Sequence, residues 1–249
     1  MNTKVSLFVG IILVFAVVFT MTGCDSLFGS DDDDKSSESL PEEYQGLPEQ
    51  IREIIPVETI QVAENELDQV INRGNNPPVF DNSYFVSPVI LTKTNVPNDF
   101  VSPGARFADI YLRFSDQNTQ NQTLRVDMVE TNISNGNVLT ESEGLGAYIS
   151  GEGNKFTIFT VVETTTSGGE KSEVFYIYSG ELQSNGIKNF TTSLIMLNNN
   201  GHTNIFIPNN TGRAFRDGSE FAAETSMPST NQVQSMSLYD SDIHFGSGR

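Results

Sequence analysis

Few residues in this chain have the types and spacing that chemistry needs. Its two histidines, His202 and His244, stand far apart, one beside the turn glycine Gly201 and the other near the end. A zinc centre needs several converging ligands, and a serine triad needs a histidine held between nucleophile and acid. Neither histidine has such a frame. His202 therefore reads as a surface-loop residue. Asp217-Gly218-Ser219-Glu220 and Asp240-Ser241-Asp242 offer oxygen ligands. A calcium loop needs more of them at fixed spacing, and Asp-Gly is an ordinary turn. Among 32 acidic residues no spacing selects a carboxylate pair for glycoside hydrolysis, because the separation that matters there is spatial. The sequence predicts no catalytic residue, no metal site, no cofactor and no enzyme, with a hydrolase, motivated by the abundant carboxylates, as the alternative.

The single cysteine, Cys24, is placed for a different chemistry. Residues 1–23 have a polar start with Lys4, an apolar stretch over 5–21 and a small residue, Gly23, at the cut, which is the layout of a secretory signal. Met21-Thr22-Gly23-Cys24 resembles the lipobox of bacterial lipoproteins. The resemblance implies cleavage after Gly23, lipidation of the Cys24 sulfur and acylation of the new N-terminus. An apolar run of roughly 17 residues is at the lower limit for spanning a bilayer, so a retained anchor is the alternative. A free thiol or an intermolecular disulfide fits less well, because Cys24 sits between a leader and a polar tail. Two or three acyl chains bury enough methylene to hold a protein on a membrane.

Residues 24–45 contain Asp31-Asp32-Asp33-Asp34 and almost nothing apolar, so they are expected to form an extended, self-repelling tether. Asp31, Asp32, Asp33 and Asp34 after the lipid cysteine also resemble the surface-export signal of Bacteroidota lipoproteins. That implies a lipid-anchored protein on the outer face of the outer membrane. The periplasmic face is the alternative, since Asp25 resembles an inner-membrane retention signal. A formal charge of −18 and a pI near 4.3 repel phosphate, so nucleic acid is excluded as a partner, as are anionic lipid headgroups.

The elements behind these residues divide at residue 76. Over 46–75 the spacing of Ile51, Ile54, Ile55, Ile60, Ala63, Leu67, Val70 and Ile71 predicts a short helical arm, interrupted at Pro56 and stopped at Gly74. Such helices are too short to stand alone, so the arm is expected to dock on the body. From 76 to 249 the period becomes that of strands. Candidates are 84–91, 108–114, 124–128, 146–150, 155–163, 173–182, 190–197 and 205–216, the last broken by Pro208. Short polar turns such as Ser134-Asn135-Gly136-Asn137 and Ser184-Asn185-Gly186 join them, which favours sequential antiparallel pairing. The expected fold is an all-β, up-and-down meander of about eight strands closed as a barrel, with a β-sandwich as the alternative. Residues 226–235 read as partly disordered, and a strand near 236–239 is a candidate for closing the barrel.

Several stretches carry a further resemblance: Ile71-Asn72-Arg73-Gly74-Asn75-Asn76-Pro77-Pro78, Tyr84-x-x-Ser87-Pro88, Gly146-Ala147-Tyr148-Ile149-Ser150-Gly151-x-Gly153-Asn154-x-Phe156-Thr157, Ser179-Gly180, and Gly186-Ile187-x-Asn189-Phe190. Together they resemble a family of Bacteroidota lipoproteins of unassigned function, similar in outline to lipocalin-like barrels. The resemblance implies fold and location and brings no catalytic residues. The Gly-x-Trp signature of lipocalins proper is missing, since the chain has no tryptophan.

Strands 156–162 and 174–178 are apolar on both faces, so one face should fill the interior and the other lie under a cover. If the interior holds a ligand, Tyr148, Phe156, Ile158, Tyr176 and Tyr178 are the expected wall residues. The function that follows is a non-enzymatic binding module for a small lipophilic or glycan ligand. A structural or assembly role, in which the asparagine-rich loops over 198–210 meet another envelope protein, is the alternative.

Overall fold

The computed structural model describes residues 40–165 and 169–228. Cys24, Gly23 and Asp31 to Asp34 lie outside the described residues, as do His244 and the candidate strand at 236–239. The body is a closed eight-stranded antiparallel barrel. Its strands are β1 (Ser83–Val86 and Val89–Thr94), β2 (Arg106–Phe107 and Asp109–Asn118), β3 (Thr123–Thr131), β4 (Val138–Glu152), β5 (Lys155–Thr165), β6 (Lys171–Gln183), β7 (Gly186–Asn198) and β8 (Gly212–Asp217 and Phe221–Thr225). Each strand pairs with the next in sequence, and β8 returns to β1 through Ala223 opposite Phe85 and Arg216 opposite Ile90. Closure removes the free outer strands of an open sheet, which is the physical advantage of the barrel over the sandwich, although β4 and β5 pair only over Tyr148–Glu152 and Lys155–Phe159.

Two strands differ from the sequence expectation, for identifiable reasons. The last strand begins at Gly212 rather than 205. Phe206 and Ile207 are buried against the barrel interior from a loop, and Pro208 has no N–H for a ladder. Closure is shared by Gly212–Asp217, paired with Val89–Thr94, and by Phe221–Thr225, a short segment whose strand character is masked by its two alanines. β4 runs from Val138 to Glu152, beyond the expected 146–150, because the polar residues of its first half hide the strand pattern in the sequence.

Inward positions follow the two-residue period. Leu112, Phe114, Val126, Ile149, Phe156, Ile158, Tyr178 and Leu194 join one interior cluster. One end is plugged by Phe80, 3% exposed, whose ring meets Phe114 at 5.1 Å and Phe156 at 4.7 Å. The Phe80 amide donates to Gln117 Oε1 at 2.9 Å, and the Gln117 amide donates back to the Pro78 carbonyl at 3.0 Å. The opposite end is the mouth, beneath the long connections at 95–105 and 199–211.

The arm contains α1 (Glu49–Ile54) and α2 (Val57–Gln61), the latter extended by a π-helical turn over Val62–Glu66. Prolines 48 and 56 sit at the two N-caps, where a missing N–H costs nothing. Helix does not continue to Arg73, contrary to the apolar spacing: Asp68 turns left-handed at φ 55°, and Val70 is exposed while Ile71 is buried. The chain becomes an extended strap instead, and an outward row of hydroxyls explains why. Ser150, Thr157, Ser179 and Thr191 are register neighbours across β4 to β7. Ser179 Oγ donates to the Val70 carbonyl at 2.7 Å, the Asn72 amide donates to Thr157 Oγ1 at 2.7 Å, and Ser150 Oγ donates to the Asn72 carbonyl at 2.7 Å. The buried Gln69 amide donates to both Ser179 Oγ and Thr191 Oγ1 at 3.1 Å. Beside this polar row, Ile51, Ile55, Ile60 and Leu67 cover Phe159, Phe175, Ile177 and Ile195 on the outer face of the barrel.

Candidate functional site

Near the mouth the interior holds a cavity of about 60 Å³. Strand parity builds it. Arg213 on β8 lies opposite Leu194 on β7, which lies opposite Tyr176 on β6. Across the barrel, Ile110 on β2 lies opposite Glu130 on β3. All five line the cavity, together with Val89, Phe107, Met128, Tyr178 and Phe215. A drug-sized ligand needs roughly 300–1,000 Å³. This space therefore takes the end of a narrow molecule, or about two waters.

The polar groups at the mouth are organised around Arg213. Its Nε donates to Asp99 Oδ2 at 2.8 Å and its Nη2 to Asp99 Oδ1 at 2.7 Å; both side chains are nearly out of reach of solvent, 2% and 4% exposed. Asp99 comes from the 95–105 loop, so the ion pair fastens that loop over the mouth. Thr94 Oγ1 donates to Asp99 at 2.6 Å, and the Val101 amide donates at 3.3 Å. Burial raises the Asp99 carboxyl. The hydrogen bonds from Arg213, Thr94 and Val101, with the guanidinium charge, outweigh burial and hold it below the usual carboxylate range. The exposed Phe100 ring stands 5.4 Å from the guanidinium of Arg213, within cation–π range.

Aromatic groups form the other wall. Tyr176 and Tyr178 stack with centroids 6.1 Å apart, and Phe107 meets Phe215 edge to face at 4.9 Å. Burial pushes both tyrosine hydroxyls up; the charge of Glu130 adds to the rise at both, and Tyr176 also raises Tyr178. Both are neutral at physiological pH. The Tyr178 hydroxyl points to Met128 Sδ at 3.8 Å.

The five residues expected to form a ligand wall fall in three places. Tyr176 and Tyr178 line the cavity. Phe156 and Ile158 face inward but are wholly buried in the packed part of the interior. Tyr148 is a correction: Ala147 and Ile149 take the inward positions of β4, so Tyr148 faces outward and packs against the cluster under the arm. Asp99 and Arg213 escaped the sequence reading because closure alone brings the 95–105 loop beside β8, and Glu130 because its inward position depends on register. A charged residue at an inward position of a strand was the one available signal.

The remaining polar motifs are structural. Asp217 is buried and accepts from the Ser219 amide and hydroxyl at 2.6 Å each and from the Ser87 amide at 3.2 Å. It pins the kink in β8 to the kink in β1. In the asparagine-rich loop, Asn199 Nδ2 donates to the Ile207 carbonyl at 3.2 Å, and Asn209 Oδ1 accepts from the Asn199 amide at 2.8 Å. Among the described residues no three His, Cys, Asp or Glu side chains come together as a metal would require. A second, open groove of about 410 Å³ runs past Tyr44, Gln45, Arg52, Asn75 and Gln122, beside Leu40. Comparison of the chain with family models, with curated proteins and with solved structures finds no match.

Proposed function

We propose that this chain is a lipid-anchored lipoprotein of the outer membrane, exposed on the cell surface, whose barrel is a non-enzymatic binding module for a small, narrow lipophilic ligand. The observation that carries the reading is the mouth cavity. It is the place in the interior where apolar walls and a few buried polar groups converge on open space, the usual anatomy of a small-molecule site. Anchoring is argued from Met21-Thr22-Gly23-Cys24, and surface exposure from Asp31 to Asp34. The kinship to Bacteroidota lipoproteins belongs to the same proposal.

Native mass spectrometry of the mature protein, extracted gently from its own host, tests the binding reading. The expected result is a discrete excess mass beyond the acyl chains that denaturation removes and that Leu194→Trp, which fills the cavity, abolishes. A clean apo mass would refute it and favour the second reading, an assembly role. That reading is supported by Phe100 and Ile133, large apolar side chains 56% and 47% exposed on two mouth-side loops, and crosslinking on intact cells would identify the neighbour.

A further inference from the structure

We propose that the open groove between the arm and the barrel is a second binding site, independent of the mouth, and that it takes an acidic sugar: the carboxylate meets Arg52, and the hydroxyls meet Gln45, Asn75 and Gln122. Among the described residues three arginines are not exposed, Arg52, Arg73 and Arg213. Arg73 holds Glu64 at 2.6 Å and Arg213 holds Asp99 at 2.7 Å. The Arg52 side chain makes no hydrogen bond or ion pair among the described residues, and its Nε is closed off from solvent without an acceptor. Taking a guanidinium partly out of water without a counter-charge is costly. In a chain with 32 acidic residues an arginine left in that state is the exception. A ligand carboxylate would supply the partner, through the planar paired contact that a guanidinium makes with it.

The rest of the lining fits a pyranose. At about 410 Å³ the groove is in the range of small-molecule sites. Tyr44 gives it an aromatic wall, fixed by the hydrogen bond that its hydroxyl donates to the Ile55 carbonyl at 2.6 Å, and the C–H face of a sugar packs on such a ring. The side-chain amides of Gln45 and Asn75 have no partner among the described residues, and Gln122 uses only its Nε2, toward the Gly74 carbonyl at 3.3 Å. Side-chain amides both donate and accept, as hydroxyl groups require. Glu49 also lines the groove, but it is exposed and forms no ion pair with Arg52. A chain charge of −18 repels multiply charged anions most, which favours one carboxylate over a phosphate dianion.

Saturation-transfer NMR of the full mature protein with D-glucuronate, its methyl ester and N-acetylalanine tests the assignment. Glucuronate should bind about tenfold tighter than the ester, which keeps every hydroxyl and lacks the charge. N-acetylalanine, a carboxylate without hydroxyls, should also bind more weakly than glucuronate. Arg52→Gln should bring glucuronate down to the ester's affinity, whereas Leu194→Trp, which fills the mouth cavity, should leave it unchanged. Equal binding of acid and ester would overturn the role of Arg52. Tightest binding of N-acetylalanine would assign the groove to the C-terminus of a peptide and overturn the sugar. Loss of glucuronate binding in Leu194→Trp but not in Arg52→Gln would move the ligand to the mouth and overturn the groove. Silence from all three probes at about 10 mM would overturn the second site and leave the mouth reading standing. The comparison among probes on the unmodified chain decides the matter even if a variant misfolds.

Discussion

Arg213 and Asp99 meet across 114 positions of sequence, and the consequence is measurable at the level of one residue. Asp99→Ala would leave a guanidinium buried without its partner, a change that costs about 3–5 kcal/mol. The cost depends on pH in a defined direction. In the unfolded chain the Asp99 carboxyl titrates near 3.9, as model carboxyls do; in the fold it titrates lower. Its contribution is therefore complete above the unfolded value and is lost as pH falls through the folded one. Urea denaturation at neutral pH and then at successively more acid pH should show the gap between variant and parent shrinking. A gap that stays constant would mean that Asp99 acts through packing alone. None of this pair was legible in the sequence. Tyr176 and Tyr178 were named because 174–178 is a strongly apolar strand, but with both faces apolar their inward parity is fixed only by register. Tyr148 was misjudged because Gly146-Ala147-Tyr148-Ile149-Ser150 puts one large residue and at least one small residue on each face, so its parity could not be fixed without register.

At the scale of elements, the strap shows how backbone and side chains cooperate to hold the arm. Gly74 and Gly151 approach so closely that a Cβ on Gly74 would lie 2.5 Å from the Gly151 carbonyl oxygen, and one on Gly151 would lie 2.1 Å from that of Lys155. Both also have positive φ, 142° and 149°, which penalises any side chain. Gly151→Ala should therefore lift the strap and open the β4–β5 hairpin. Hydrogen exchange is expected to rise at Asn72, Gly74 and Gly151, and stability to fall by about 1–3 kcal/mol. Unchanged exchange at Asn72 would separate the strap from the hairpin. Strands with apolar alternation and Asn-Gly or Gly-Asn turns were readable because each signal is local. The end of α2 was not. Leu67 and Ile71 keep a helical spacing that an extended strap also satisfies, since both place two apolar side chains on the barrel. The choice is made by hydroxyls on Thr157, Ser179 and Thr191, which belong to other strands and leave no mark at residues 67–73.

For the whole molecule, closure and location are separate problems solved by separate parts of the chain. Eight strands in sequential order close when Phe221–Thr225 pairs with Ser83–Val86 and with the start of β7. Every strand of the ring thus lies between residues 83 and 225. The meander order was readable from turn chemistry, as was the first closing segment, Gly212–Asp217, which overlaps the expected strand 205–216; the second was not, because Phe221-Ala222-Ala223-Glu224-Thr225 is short and carries little apolar pattern. Nothing in closure draws on Cys24, whereas the proposed membrane attachment depends on it entirely, because a chain of charge −18 gains nothing from an anionic lipid surface. Cys24→Ala in the natural host should accordingly do two things at once. The protein should move from the membrane pellet to the soluble fraction, and its thermal midpoint should stay within about 2 °C of the delipidated parent, less than the shift that about 1 kcal/mol produces in a domain of this size. Retention in the pellet with an uncleaved leader would identify residues 5–21 as a spanning anchor and end the lipoprotein reading. Release with a lowered midpoint would mean that the anchor region supports the barrel, contrary to a ring completed between residues 83 and 225.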